Sequence, residues 1–194
     1  MKKTIVLASG NKGKIREISD MLPQFNVVGY KDLGLDFEIE ENGSTFYENA
    51  LIKAKAVSDA LNLPALADDS GLEVDALNGA PGIYSARYSL SGKDEDNNKL
   101  LLKNLQGKEN RNARFVCCMV YYDNGEIISH SGQTEGEILF SAQGDNGFGY
   151  DPLFFSKDLN KSLGIASEEE KNSISHRSRA LNGIIAKLKE KGIV

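Results

Sequence analysis

Between Pro64 and Tyr88 the chain runs PALADDSGLEVDALNGAPGIYSARY, and few folds accommodate such a stretch. Ala65-Leu66-Ala67 is a short apolar run of the kind that forms a buried strand, and Asp68 and Asp69 follow it directly. Acids at the carboxyl end of a strand face the crevice where open α/β sheets bind ligands. Neighbouring residues there point differently, so one aspartate can hold a metal while the other orients or deprotonates a water. Ser70-Gly71 is expected to end the strand in a sharp turn, with Gly71 sparing the backbone a Cβ. The segment from Leu77 to Tyr88 is rich in Gly, Pro and Ala but carries Tyr84, Arg87 and Tyr88, which suits a shaped wall better than a slack linker. An isolated Asp-Asp pair also fits a capped strand end with solvated acids, so its meaning depends on the other acids and lysines.

Thr4 to Ala8, TIVLA, reads as a first buried strand. It enters Ser9-Gly10-Asn11-Lys12-Gly13-Lys14 and then a helical pattern with Ile15, Ile18 and Leu22 on one face. A strand, a Gly-rich turn and a helix start offer backbone N–H groups and a positive dipole end to an anion. The spacing is not that of a Walker loop, and a polar turn with solvated lysines accounts for it equally well. A strand near Asn26 to Tyr30 and an acidic connector, Glu38-Ile39-Glu40-Glu41, lead to the clearest helix. Thr45 and Glu48 have capping-box spacing, and Phe46, Ala50, Ala54, Val57 and Leu61 make its apolar stripe. Asn49 and Lys53 lie one turn apart on the flank of that stripe, so Lys53 is carried by an ordered element.

After Tyr88 a helix to about Leu105 buries Leu101, Leu102 and Leu105. Ala113 to Tyr122, ARFVCCMVYY, is apolar at both parities and suits a central strand covered on two faces. Asp123-Asn124-Gly125-Glu126 is a strong hairpin signal. The return strand covers Ile127 to about Leu139, with Gly132 and Gly136 as bulge positions. A Gly-rich loop, Ser141 to Tyr150, ends in Phe148-Gly149-Tyr150-Asp151, whose two aromatics suit either hairpin packing or a slot for a flat ring. Ser175-His176-Arg177 precedes a last helix with Leu181, Ile184 or Ile185, and Leu188 inside.

Composition removes several classes. The net charge is 23 − 28 = −5, and the longest run of like charge is Glu168-Glu169-Glu170, which argues against a nucleic-acid or anionic-membrane surface. No segment approaches the roughly 20 apolar residues that span a bilayer, and the apolar run after Lys2-Lys3 is too short for a signal peptide, so a cytoplasmic protein is expected. Cys117 and Cys118 are adjacent, so in a strand they face opposite sides and form no ordinary disulfide. With two histidines and no GxSxG, a Ser-His-Asp triad is a poor fit.

Together the motifs supply what hydrolysis of a nucleoside triphosphate needs: lysines on ordered elements, two pairs of acids and an aromatic loop. SGNKGK at Ser9–Lys14, TFYENA-x-x-KA at Thr45–Ala54, ADDSGLEVDALNGAPGIYSARY at Ala67–Tyr88, FGYDPLF at Phe148–Phe154 and SHRSRAL at Ser175–Leu181 closely resemble the inosine/xanthosine triphosphate pyrophosphatases, the Ham1-like house-cleaning enzymes. The blocks stand in family order and cover essentially the whole chain. The resemblance implies an α/β fold of the ITPase-like, Ham1/Maf type. It would be one domain over residues 1–194, with a mixed sheet, two lobes around a central cleft, and a homodimeric assembly. It implies that Ser9, Gly10, Asn11, Lys12, Gly13 and Lys14 wrap the triphosphate with Lys53, and that Glu41 and Asp69 hold Mg²⁺ with Glu40 and Asp68 nearby. Asp69 matches the usual proton acceptor for the attacking water, and Ser70 would touch substrate. Phe148, Gly149, Tyr150, Asp151, Lys171, His176 and Arg177 would form the base and sugar pocket. The implied reaction splits non-standard purine nucleotides (ITP, dITP, XTP) into monophosphate and pyrophosphate, with no nucleic-acid or membrane partner. Two other classes use the same residues: a nucleotide sensor without hydrolysis, and a phosphatase forming an aspartyl-phosphate.

Overall fold

The computed structural model describes residues 2–193. Its strands are β1 (Lys3–Leu7), β2 (Phe25–Gly29), β3 (Ala65–Val74), β4 (Asn112–Asp123), β5 (Glu126–Ile138), β6 (Phe154–Ser156) and β7 (Lys161–Ser162). They form one mixed sheet in the order β2-β1-β3-β4-β5-β6-β7. β1 runs parallel to both β2 and β3, while β6 runs antiparallel to β5 and β7. The helices are α1 (Lys12–Met21), α2 (Phe46–Leu61), α3 (Asp94–Asn104), α4 (Glu168–Ile174) and α5 (His176–Glu190). The chain gathers into two compact units, one of Met1–Asp69, Cys118–Ser131 and Ala180–Val194, the other of Ser70–Cys117 and Gly132–Arg179.

In the first unit, Ile5, Val6 and Leu7 of β1 and Ala65, Leu66 and Ala67 of β3 are buried, as a parallel strand covered on both faces requires. α1 begins where the Asn11 side chain accepts the N–H groups of Gly13 and Lys14. α2 begins at Thr45, whose hydroxyl accepts the Glu48 N–H. The return half of the expected capping box is shifted by one residue. Glu48 reaches the N–H and hydroxyl of Ser44, at 2.6 and 2.7 Å. α2 buries Phe46, Ala50, Ala54 and Val57 as its periodicity predicts, together with Asn49 and Ser58, while Leu61 is half-buried. Asn62, in the left-handed region at φ 53°, stops the helix.

One expectation fails at the centre of the sheet. β3 does not end at Asp68-Asp69, and Gly71 makes no turn. The strand continues through both acids, Ser70 and Gly71 to Val74. Its continuation is held in part by the Ser85 hydroxyl, which accepts the Leu72 N–H at 2.8 Å and donates to the Gly82 carbonyl at 2.6 Å.

In the second unit Leu72, Val74, Leu101, Leu105, Phe115, Ile138, Tyr150, Leu153 and Phe154 belong to one core. The hairpin turn has Asn124 and Gly125 at φ 45° and 90°, the signs a type I′ turn needs. Gly136 is no bulge against β6, where it pairs in register with Ser156. Glycine is required there for a different reason: a Cβ would stand 2.4 Å from both the Phe154 ring and the Phe155 carbonyl oxygen. β6, β7 and α4 had no counterpart in the periodicity, although Ser167 and Glu170 form a complete capping box at the start of α4. Cys117 and Cys118 are buried outside any disulfide, and burial raises the Cys118 thiol above its ordinary pKa. Among the described residues no helix is long and apolar enough to cross a membrane.

Two expectations follow. Gly136→Ala forces the Phe154 ring or the β5–β6 pairing to move, and should destabilise by about 1–3 kcal/mol in urea unfolding, where an unchanged midpoint would show that the ring yields freely. Glu170 accepts from Lys161 at 2.7 Å and from the Ser167 N–H, which together hold its carboxyl below the ordinary range. Its contribution is therefore complete above the unfolded carboxylate value and lost as pH falls through the lower folded value. Amide protection over residues 168–174 should be steady from neutral pH to about pH 5 and decline below about pH 4; a flat profile would refute the link.

Candidate active site

Asp68 and Asp69 are consecutive on β3, so they take opposite sides of the strand. The Asp68 side chain is 3% exposed, and Lys14 Nζ contacts both of its oxygens at 2.9 Å. Asp69 Oδ2 accepts from Asn49 Nδ2 at 3.1 Å, and its Oδ1 lies 3.8 Å from Lys53 Nζ. Lys53 also donates to Glu41 Oε2 at 2.9 Å. Because Asn49 and Lys53 sit one turn apart on α2, one helix face holds Asp69 from two directions. Asn49 is buried because it does this: its Oδ1 also accepts the Gly43 N–H at 2.9 Å, fixing the chain that leads from Glu41 into the helix.

Of these side chains Lys14, Glu41, Lys53 and Asp68 border a cavity of about 230 Å³, whose other lining residues are Ala8, Ser9, Gly10, Tyr30 and Ile39; Asp69 and Asn49 are not among them. That volume is below the roughly 300–1,000 Å³ of sites that enclose a whole drug-sized ligand, and suits a polyphosphate tail. The glycine-rich turn is only partly engaged. Ser9, Gly10 and Lys14 border the cavity, whereas Asn11, Lys12 and Gly13 do not. The Gly13 and Lys14 N–H groups are already taken by the Asn11 side chain at 2.9 and 3.2 Å. Glu40 is exposed and does not border the cavity. Ser70 follows Asp69 on β3 and is half-buried. Tyr30 and Ile39 were not singled out in the sequence, where apolar cavity walls carry no signal distinct from core.

The remaining candidates lie in the second unit. Phe148 is 68% exposed, with Lys171 Nζ 4.4 Å from its ring centroid. Asp151 is buried, accepts the Phe148 N–H at 3.0 Å and pairs with Lys171. Tyr150 is in the core rather than open for stacking: it is 5% exposed, and its hydroxyl donates to the Ser85 carbonyl at 2.7 Å. Burial pushes that phenol up from its ordinary pKa. Gly149 adopts φ 60° and brings its peptide groups to α3. His176 stacks on Phe115 at 5.2 Å between centroids, and Arg177 follows it in the first turn of α5.

The carboxylates supply the hard oxygen donors that Mg²⁺ prefers. Among the described residues no group of three or more His, Cys, Asp or Glu stands close enough to hold a metal by itself. Mg²⁺ is commonly held by one or two carboxylates together with substrate phosphates and waters. Glu41 and Asp69, both facing the Lys53 ammonium, are the pair placed to share a cation.

Comparison with known proteins gives a consistent outcome. The model of the Ham1 family matches residues 5–187. A Treponema denticola protein named dITP/XTP pyrophosphatase is 50% identical over 185 residues, covering 93% of this chain and 95% of that one. A Staphylococcus aureus protein of the same name is 47% identical over 182 residues, covering 93% of each. The solved structure of the Staphylococcus aureus Ham1 protein superposes with a TM-score of 0.93 at 46% identity, covering 97% of this chain and all of that one, 100%. A Ham1 protein from Coxiella burnetii gives a TM-score of 0.92 at 38% identity, covering 97% and 99%. With a family match over nearly its whole length and a mixed α/β fold shared with these structures, the chain belongs to the Ham1 family.

Proposed function

We infer that this chain is a hydrolase that cleaves non-standard purine nucleoside triphosphates (ITP, dITP, XTP) into monophosphate and pyrophosphate. The single observation that carries the reading is the alternation of charge at the small cavity, where Lys14 meets Asp68 and Lys53 meets Glu41, with Asp69 behind Lys53. Relatives over 45% identical that carry the name dITP/XTP pyrophosphatase support it.

The charges themselves call for a cation. The lysines and carboxylates that line the cavity cancel formally, 2 − 2 = 0, and Asp69 beside Lys53 adds one negative charge, which leaves no net positive charge for a polyphosphate anion. Mg²⁺ held by Glu41 and Asp69 would neutralise phosphate oxygens and lower the pKa of a bound water. Lys14 and Lys53 bind the phosphate chain and stabilise charge that develops on the departing pyrophosphate. Ser9 and Gly10 add polar contacts along the cavity wall. Asp69 accepts the proton of the attacking water, with its second oxygen held by Asn49. Ser70 touches the substrate beside it.

The base falls to the residues of the second unit. Phe148 offers a ring face, Lys171 and the His176-Arg177 segment offer donors, and Asp151 holds Lys171 and the Phe148 amide in place. Donors suit the 6-oxo acceptor of hypoxanthine and xanthine and oppose the 6-amino donor of adenine. A mispaired buried polar group can discriminate by about 10⁴. The assembly is a homodimer acting in the cytoplasm, without nucleic-acid or membrane partners.

Asp69→Asn keeps the shape and a partner for Asn49 but removes the base. It should fold normally and lose about 10²- to 10⁴-fold in pyrophosphate release from ITP, and near-wild-type turnover would assign the proton to another group. Product analysis on ITP with Mg²⁺ should find IMP and pyrophosphate, abolished by EDTA, with ATP a far poorer substrate. Orthophosphate with IDP, or equal rates on ATP and ITP, would overturn the proposed reaction.

A further inference from the structure

The exposed Phe148 ring stands on a turn that is held from outside by α3, a helix whose sequence spoke only of packing. Gly149 donates its N–H to Asp94 Oδ2 at 2.7 Å and accepts from Asn98 Nδ2 at 2.9 Å. Asp94 and Asn98 are one turn apart and share a face of α3. Between them Asn97 accepts the Ser89 N–H at 2.7 Å and donates to the Ala86 carbonyl at 3.3 Å. The Tyr150 hydroxyl donates to the neighbouring Ser85 carbonyl at 2.7 Å. One helical turn thus anchors two loops by their backbones.

Backbone anchoring at Gly149 has a definite effect. The residue sits in the left-handed region at φ 60°, and bonds to its N–H and its carbonyl fix the peptide planes on both sides. An apolar contact would hold the loop near α3 without choosing those planes. Asn98 Oδ1 is buried without a hydrogen bond among the described residues. Flipping the amide would aim that oxygen at the Gly149 carbonyl, so the donor orientation is the only favourable one. The rest of the loop is equally tight: a Cβ at Gly147 would lie 2.1 Å from the Asp151 carboxylate.

We propose that Asp94 and Asn98 are a positioning pair for purine recognition, locking the Phe148–Gly149 backbone so that the Phe148 ring and Lys171 present one geometry to the base. The inference rests on the reading that Phe148 and Lys171 receive the base. It separates two properties: loss of the pair should weaken recognition of the purine and leave the phosphate-handling residues Lys14, Lys53 and Asp69 as they are.

The test uses the whole chain, with ITP and ATP as substrates and inorganic tripolyphosphate as a competitive inhibitor carrying no base. Asp94→Ala and Asn98→Ala should each raise the KM for ITP by about tenfold, with kcat within about threefold and the tripolyphosphate inhibition constant unchanged. The preference for ITP over ATP should fall. Asp94→Asn retains an oxygen acceptor and should stay within about threefold of the wild-type KM. Should an alanine variant fail to fold, Asn98→Asp preserves shape, sets an acceptor against the Gly149 carbonyl and should give the same rise in KM. Hydrogen exchange over residues 146–150, faster in the alanine variants than in wild type, reads the anchoring with no substrate present. An unchanged KM, or a tripolyphosphate constant that rises in step with it, overturns the positioning role. Absence of pyrophosphate release by wild type strikes the proposed function instead, and the exchange measurement still decides whether α3 fixes the turn.

Discussion

A buried carboxylate in the middle of a sheet is the constraint around which the first unit is built. Asp68 lies in β3 with its side chain almost wholly enclosed, and an uncompensated charge in such a place costs several kcal/mol. Lys14 meets that cost with contacts to both oxygens from the first turn of α1, which Asn11 caps directly after Ser9-Gly10. The geometry of the turn, the start of the helix and the charge state of the strand are therefore one interaction. The Lys53, Glu41 and Asp69 group repeats the arrangement from α2. The charged groups that border the cavity also compensate one another, which explains why a polar cavity can sit beside so apolar a strand.

The second unit solves another problem, which is to keep a glycine-rich loop in one shape. Gly144, Gly147 and Gly149 all have positive φ, and at 144 and 147 a side chain would collide with neighbouring backbone or with Asp151. Flexibility in the sequence is converted into close approach in the structure. Tyr150 anchors the loop inward through the core, Asp151 ties it to Lys171, and α3 holds it from the outer side. Phe148, by contrast with Tyr150, is left with its ring largely in solvent.

Much of this was legible beforehand. Periodicity located α2 and its Thr45 cap, the two-faced burial of β4 and the Asn124-Gly125 turn, since each depends on neighbours a few residues apart. Spacing also set Asn49 beside Lys53, though not the burial of Asn49 between the Gly43 N–H and Asp69. Asp68 and Asp69 were expected at a strand end because they follow a short apolar run and are followed at once by Ser70-Gly71. The lysines that make them tolerable lie 54 residues away for Asp68 and on a separate helix for Asp69, beyond any local pattern. Tyr150 illustrates the same limit: an aromatic beside glycine is equally a base platform or a core anchor until the Ser85 carbonyl is seen to take its hydroxyl. The capping box of α4 was written in Ser167 and Glu170 but hidden by a run of three glutamates.

The enclosed thiols have a practical side. Both cysteines of the chain are in β4, buried, and burial raises the Cys118 thiol above its ordinary pKa, which disfavours the thiolate. Alkylating dyes and spin labels react with thiolate at the surface, so the natural chain presents them with almost no background. A single cysteine engineered onto the exposed loop around Phe148 would carry a probe at one known address.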